Sequence, residues 1–277
     1  MNIFVNMRIM VAHTPDPDDA FMFYGMFEGK IRTSNQYEQV IKDIETLNKE
    51  SKEGKYEVTA ISANGYVQVR DLYKLTRSGA SFGISYGPIV VARNEIDLSK
   101  SRMGVPGFMT SSYLLYRMFG PEAKEYVEIK FDEIPDAILT GKVDAGILIH
   151  DEQLTFQKRG LKEVFDIYSA WKSYAGNLPI PLGFNAIRKD LDEDTVNKFL
   201  YDFERSIRYA MAHEEEAVKY AMKYARYTDL DLERRFVRMY VNELSIDFGD
   251  TGRKALELYY NRAAGKGLIP PFKPEIV

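Results

Sequence analysis

His150 is the histidine whose position in the sequence best suits acid–base chemistry. It follows the apolar segment 143–149, which has the length and composition of a buried strand. The carboxyl end of such a strand is where α/β sheets bind their ligands, and an imidazole exchanges protons readily near neutral pH. We therefore predict that His150 is a general base, with Asp151 or Glu152 orienting its ring. On spacing alone, a histidine that caps the next helix fits equally well.

The other two histidines, His13 and His213, are weaker candidates for catalysis. His13 ends the predicted strand 8–12 and is followed by a proline-containing turn, where a hydrogen bond within the loop is the favoured interpretation. His213 lies in a polar stretch between predicted helices, and we expect it to face solvent.

Three acidic residues, Asp16, Asp18 and Asp19, occupy the turn that follows His13. Grouped carboxylates can hold a hard cation. Acids at this position are more typical of the first turn of a helix, where they interact favourably with the helix dipole. We include Asp19 among the predicted substrate-binding residues and predict no metal site.

The segment 105–112 has the composition of a ligand-binding loop between a strand and a helix. Gly107 lets the backbone approach a ligand closely. Thr110 and Ser111 bring hydroxyl groups to the start of the helix, where unpaired backbone amides bind anions. Plain capping of the helix by one of these residues is the alternative, and we favour capping combined with ligand contact.

Ser62 and Asn64 occupy a comparable position in the first part of the chain. They follow the predicted strand 56–61, so they too are expected at the carboxyl end of a strand. A simple turn explains these two residues equally well. We keep both as predicted substrate contacts.

Composition and charge exclude several classes of protein. The chain has 277 residues, of which 45% are hydrophobic and 28% charged, and a net charge of −4. There is no basic excess for a nucleic acid, and the lack of cysteine removes disulfides, thiolate metal sites and a cysteine nucleophile. No apolar stretch approaches the roughly 20 residues of a membrane span, and no export leader is recognised. We predict a cytoplasmic protein that binds a small molecule, with neither nucleic acid nor membrane as a partner.

The elements that must position these residues alternate between strand and helix. Such alternation predicts an α/β fold with mainly parallel sheets. One series runs to about Ala92 and a second begins near Arg102; after Arg188 the apolar residues recur at three- and four-residue intervals, as in helices. Helices that bring no new sheet are expected to pack back on the first lobe.

This pattern predicts two α/β lobes. The first comprises residues 1–94 with 189–277 and the second residues 95–188, joined by crossing segments at 93–100 and 183–188. The expected architecture is that of a two-lobed binding protein with its ligand cleft between the lobes.

Six segments form an ordered set that carries further information. In one-letter code they are TPDPDDAFMFY at 14–24, YGPIVVA at 86–92, VPG at 105–107 with Thr110, GILIHD at 146–151, LPIPLG at 178–183 and YVNELSID at 240–247. Together they resemble the 1,4-dihydroxy-6-naphthoate synthase family of the futalosine pathway of menaquinone biosynthesis, nearly from end to end.

The resemblance implies a fold like that of type II periplasmic binding proteins, turned into an enzyme. It implies that cyclic dehypoxanthinyl futalosine is cleaved to 1,4-dihydroxy-6-naphthoate, with the strand-end histidine, here His150, as the base. Thr110 and Ser111 would hold the carboxylated substrate. Loss of a proton from a saturated ring, followed by fragmentation to an aromatic product, requires neither a redox cofactor nor a metal, and we expect none.

Two other functions share this fold. A solute-binding protein that hands a small carboxylate to a transporter is disfavoured, because neither an export leader nor a lipid-attachment cysteine is recognised. The chorismate dehydratase of the same pathway is disfavoured by His150 at the end of its apolar strand.

Overall fold

The computed structural model describes residues 8–150, 152–224 and 229–277. Its strands are β1 (Arg8–His13), β2 (Gln36–Ile41), β3 (Val58–Ser62), β4 (Tyr73–Leu75), β5 (Ser81–Gly83), β6 (Ile89–Ala92), β7 (Arg102–Val105), β8 (Glu125–Glu128), β9 (Ala145–Leu148), β10 (Lys162–Asp166) and β11 (Ile180–Arg188). Its α-helices are α1 (Pro17–Phe27), α2 (Ile44–Ser51), α3 (Ala63–Val69), α4 (Ser111–Phe119), α5 (Ile134–Leu139), α6 (Glu152–Thr155), α7 (Ile167–Ala175), α8 (Glu193–Ala212), α9 (Glu214–Ala221), α10 (Leu230–Tyr240), α11 (Glu243–Ile246) and α12 (Gly249–Gly265). Within the described ranges, no helix has both the length and the apolar character needed to cross a membrane.

The first sheet has the strand order β2-β1-β3-β11-β4, with β5 also paired to β11. β1 runs parallel to β2 and to β3, whereas β11 runs antiparallel to β3 and β4. Because β1 and β3 are parallel neighbours, their last residues, His13 and Ser62, leave the sheet at the same edge. Gly183 of β11 is paired with Ser62.

The second sheet has the strand order β10-β6-β9-β7-β8. β7 runs parallel to β8 and to β9, and β6 runs antiparallel to β9 and β10. Met103 of β7 pairs with Ala145 of β9. The loops that follow these two strands therefore begin at the same edge of the sheet.

The prediction of mainly parallel sheets is wrong, since each sheet contains both kinds of pairing. The strands that run against the others of their sheets are β6 in the second sheet and β11 in the first. They are the strands by which the chain enters the second sheet and returns to the first. Neither is reached by a β-helix-β crossover from its neighbour in the sheet, which is the connection that makes neighbouring strands parallel.

The chain forms two compact units. The first comprises the residues up to Phe82 with Gly183–Gly249 and Pro274–Val277, and the second comprises Gly83–Leu182 and Asp250–Lys273. The division differs from the predicted lobes at both crossings. Strand β6 pairs within the second sheet, so the chain leaves the first unit before that strand rather than after it.

Helix α12 also differs from the prediction that the C-terminal helices pack on the first lobe. It lies in the second unit, where the ring of Tyr259 is 6.4 Å from the ring of Trp171 in α7. Arg262 of the same helix stacks its guanidinium over Tyr174, 4.9 Å from the ring centroid. The aromatic face of α7 thus provides the partner surface for α12.

Helix α1 is an interior element of the first unit, because ten of its residues are buried, in a run from Pro17 to Met26. Phe23 stacks on Phe203 of α8 with the ring centroids 4.3 Å apart. A helix that is apolar all round is expected to be enclosed on all sides. Burial of its first turn brings the acids at its start into the interior as well.

Candidate active site

His150 lies two residues beyond the end of β9 and adopts a φ of +53°, the one positive φ of a non-glycine residue in the described chain. This backbone conformation costs about 1–2 kcal/mol for a residue with a Cβ. Phe131 packs edge-on against the imidazole with 4.9 Å between ring centroids, and the His150 carbonyl accepts the Gln153 amide at 3.2 Å. Strain of this kind is concentrated at functional sites, which distinguishes His150 from an ordinary loop residue.

The structure describes one of the two acids that are predicted to orient this imidazole. Glu152 is buried, with 5% of its surface exposed, at the first position of α6. Asp151 lies outside the described residues.

The second sheet brings His150 and the Gly107 loop to one edge. His150 follows β9 and Gly107 follows β7, and these strands are parallel neighbours. The predicted base and the predicted anion-binding loop, 43 positions apart in the sequence, therefore start from adjacent strand ends. This is the edge at which α/β sheets bind ligands.

Thr110 is the N-cap residue of α4. Its hydroxyl accepts from the Tyr113 amide at 3.4 Å and donates to the Gly107 carbonyl at 2.7 Å. Gly107 adopts a φ of +149°, which favours glycine. Thr110 therefore caps α4, and its hydroxyl hydrogen is directed to the Gly107 carbonyl; contact of Thr110 with a ligand stays a prediction.

The Ser111 hydroxyl also donates its hydrogen to a backbone carbonyl, that of Leu182. The phenol of Tyr259, fully buried in α12, faces Ser111, and burial raises the pKa of this tyrosine. Sequence reasoning missed both partners because they are remote in the chain. What remains for a ligand is the backbone: the amides of Ser111 and Ser112 donate to no acceptor in the described part of the chain. Such amides at a helix start bind anions.

Ser62 and Asn64 are both buried in the first unit, with 4% and 8% of their surfaces exposed. Ser62 ends β3 and precedes α3, and Asn64 lies in the first turn of that helix. The side chain of Asn48, in α2, contacts Ser62 at two points. Asn48 carries no sequence motif that would have identified it.

His13 is a structural histidine, as its sequence position favoured. It is fully buried, and burial lowers its pKa to about 4. Its Nδ1 donates to the Thr14 carbonyl at 2.7 Å, which fixes the tautomer so that Nε2 accepts from the Gln39 amide at 2.8 Å. The neutral ring stacks on Phe23, 4.8 Å between centroids.

Two of the acids at the start of α1 accept hydrogen bonds from nearby residues of the first unit. Asp19 accepts hydrogen bonds from Thr14, and Asp18 accepts one from the Ser81 hydroxyl at 3.0 Å. Burial, followed by the nearby charges of Asp19 and Asp16, raises the pKa of Asp18. No group of three or more metal-ligating side chains is found among residues 8–150, 152–224 and 229–277.

The fold places the chain in the class of proteins with the periplasmic binding protein architecture. A Candida albicans protein that exhibits the generic form of this fold superposes with a TM-score of 0.66 at 12% sequence identity, over 98% of each chain. At this level of identity the likeness concerns the fold alone. The fold implied by the sequence resemblance is thereby confirmed.

The chain belongs to the menaquinone biosynthesis family, whose model matches residues 9–265. A 1,4-dihydroxy-6-naphthoate synthase from Thermus thermophilus is 35% identical over 264 residues, which cover 95% of this chain and 96% of that protein. The crystal structure of a protein from Archaeoglobus fulgidus is 46% identical, with a TM-score of 0.91, and the match covers 95% of this chain and 98% of that one. The family resemblance read from the six segments is confirmed.

Proposed function

We propose that this protein is a carbon–carbon lyase that converts cyclic dehypoxanthinyl futalosine to 1,4-dihydroxy-6-naphthoate. The observation that carries the proposal is His150, held with a positive φ at the strand edge from which the Gly107 loop also starts. Support comes from the nearly full-length similarity to a protein named for that product. The carboxylated small molecule is the proposed partner.

His150 acts as the general base in this proposal. Its imidazole takes a proton from the saturated ring of the substrate, and the ring then fragments with loss of the sugar-derived portion. Formation of an aromatic ring provides the driving force. Phe131, packed edge-on against the imidazole, restricts the ring orientation, and Glu152 is the proposed residue that orients it further.

The substrate carboxylate binds at the start of α4. The Ser111 and Ser112 amides donate to it, and the positive end of the helix dipole favours its charge. Thr110 contributes by holding the loop and the helix start together through its bonds to Gly107 and Tyr113. Ser62, Asn64 and Asp19 are proposed as further substrate contacts.

The replacement His150→Asn tests the proposal. A positioned base contributes about 10²- to 10⁴-fold to the rate, so kcat should fall by that order while the melting temperature and the substrate affinity change little. His213→Asn is the matched control, because it removes an exposed histidine and should leave kcat unchanged. A near-wild-type kcat for His150→Asn would end the assignment of the base.

An assay with two substrates separates the competing functions. The purified protein is incubated with cyclic dehypoxanthinyl futalosine and, separately, with chorismate, and the products are identified by mass. Appearance of the naphthoate supports the proposed lyase. Dehydration of chorismate, or tight binding of a carboxylate without turnover, would favour the dehydratase or the solute-binding protein.

The proposed location is the cytoplasm. It is supported by membership of a biosynthetic family, which distinguishes the chain from binding proteins that serve transporters. Fractionation of cells followed by immunodetection tests it, and recovery of the protein in an extracytoplasmic fraction would contradict it.

A further inference from the structure

The side-chain amide of Asn48 makes two hydrogen bonds to Ser62. Asn48 Oδ1 accepts from the Ser62 backbone amide at 3.0 Å, and Asn48 Nδ2 donates to Ser62 Oγ at 3.1 Å. Asn48 is fully buried and Ser62 is 4% exposed. A second Nδ2 hydrogen is directed at Glu45 Oε2, 3.5 Å away.

The amide has one possible orientation. A backbone amide only donates, so the Asn48 atom that faces the Ser62 nitrogen must be the oxygen. The nitrogen consequently faces Ser62 Oγ, which must act as the acceptor of that bond.

The Ser62 hydroxyl hydrogen therefore makes no hydrogen bond to Asn48. A serine hydroxyl has one donor hydrogen and two acceptor lone pairs, and one lone pair is occupied by Asn48. Ser62 makes no side-chain bond to α3, and its hydroxyl donates no hydrogen bond to any of the described residues. A buried donor of this kind requires a partner.

Gly65 leaves the space that the Asn48 side chain occupies beside Ser62. A Cβ at position 65 would lie 2.4 Å from Asn48 Oδ1 and 2.9 Å from its Cγ. Any larger residue at position 65 would displace the amide from Ser62. A glycine inside a helix lowers its stability, so its presence here is accounted for by the space that Asn48 needs.

We propose that Asn48 is a positioning residue that makes the Ser62 hydroxyl an obligate donor to an oxygen of the bound substrate. The inference rests on the proposed function, in which Ser62 contacts the substrate. It adds the direction of the bond: position 62 selects a hydrogen-bond acceptor, such as a carboxylate or carbonyl oxygen, and disfavours a donor.

A double-mutant cycle with Asn48→Ala and Ser62→Ala tests the inference. Each single variant should raise KM for cyclic dehypoxanthinyl futalosine by about tenfold, the effect of losing one hydrogen bond to a charged group, with little change in kcat. The double variant should raise KM no further, because Asn48 acts through Ser62. Asn185→Ala is the matched control. It removes a different buried side-chain amide, which lies in β11 and is bonded to the Gly79 carbonyl, and it should lower the melting temperature without raising KM.

Gly65→Ala provides a second route that removes no polar group. The added methyl should displace the Asn48 amide and raise KM in the same way as Asn48→Ala. Gly265→Ala is its control, since no atom lies within 4 Å of a Cβ built there.

The outcomes separate this inference from the proposed function. If the effects of Asn48→Ala and Ser62→Ala on KM add, if either leaves KM unchanged, or if Asn48→Ala changes only the melting temperature, the inference is overturned even when the wild-type protein is an active lyase. If the wild-type protein does not turn over this substrate, the lyase proposal fails. The same cycle is then measured on binding of 1,4-dihydroxy-6-naphthoate by calorimetry, with the same criteria.

Discussion

The carboxylate of Asp19 accepts two hydrogen bonds from Thr14, one from the backbone amide at 3.0 Å and one from the hydroxyl at 2.8 Å. Both residues are buried. The pair closes the proline-containing turn between β1 and α1, so we expect it to stabilise the turn independently of any ligand.

The first prediction concerns this pair. Asp19→Ala leaves two buried donors without their acceptor and should lower the free energy of unfolding by about 2 kcal/mol. Thr14→Val keeps the bond from the backbone amide and should lower it by about 1 kcal/mol. Chemical denaturation measures both values. Unchanged stability of Asp19→Ala together with a higher KM would show instead that this carboxylate serves mainly the substrate.

The second prediction concerns the backbone amide of Ser111. Thr110 has φ −74° and ψ 149°, which suits a residue before proline, and proline is tolerated at the first position of a helix. Ser111→Pro should therefore fold while removing one donor to the carboxylate, and it should weaken the affinity for 1,4-dihydroxy-6-naphthoate by about tenfold. Ser111→Ala, which loses the same hydroxyl but keeps the amide, is the control. Equal affinities of the two variants, measured by calorimetry, would contradict the amide site.

The third prediction concerns the backbone of His150. Asparagine tolerates a positive φ well, whereas a β-branched residue does not. Both His150→Asn and His150→Val lose the imidazole, so their comparison isolates the backbone. We expect the valine variant to be less stable than the asparagine variant by about 1–2 kcal/mol, as measured by urea denaturation. Equal stabilities would be incompatible with the positive φ.

The fourth prediction concerns pH. Burial lowers the pKa of His13 from 6.5 to about 4, so between these values the unfolded chain binds more protons than the folded protein. The stabilising contribution of neutral His13 is fully present above pH 6.5 and falls by about 3 kcal/mol as the pH drops to 4.

Comparison of the wild-type protein with His13→Gln tests this dependence of the free energy of unfolding on pH. The variant should be less stable near pH 7, because it loses the ring stacking on Phe23, but its stability should change less between pH 6.5 and 4. His213→Gln, at an exposed position, should keep the wild-type slope. Parallel curves for the wild-type protein and His13→Gln would show that His13 is not the group responsible.

Several elements of the site could be predicted from the sequence because their signals are local. A capping threonine before Ser111 and Gly120 after Phe119 indicate the bounds of helix α4, which spans Ser111–Phe119. Strand β7 begins at Arg102, where the second series of elements is predicted to start. The position of His150 beyond an apolar strand depends only on residues 143–150.

Other elements have sequence signals that are weak over short ranges. Apolar residues continue at helical spacing from 66 to 75, but α3 ends at Val69 and β4 occupies Tyr73–Leu75. Strand β10 begins with two exposed charged residues, a pattern that does not indicate a strand. Such strands are formed by pairing with β11 and β6, and periodicity over three to five residues does not distinguish them from loops.

The family, the fold class and the position of His150 at a strand end follow from the sequence alone, because each is carried by short segments of consecutive residues. The hydrogen bonds of the polar groups follow only from the tertiary structure. Asn48 reaches Ser62 across 14 positions, and Ser111 reaches Leu182 across 71. Bonds between remote residues depend on how strands pair and helices pack, and no local pattern of residues encodes them.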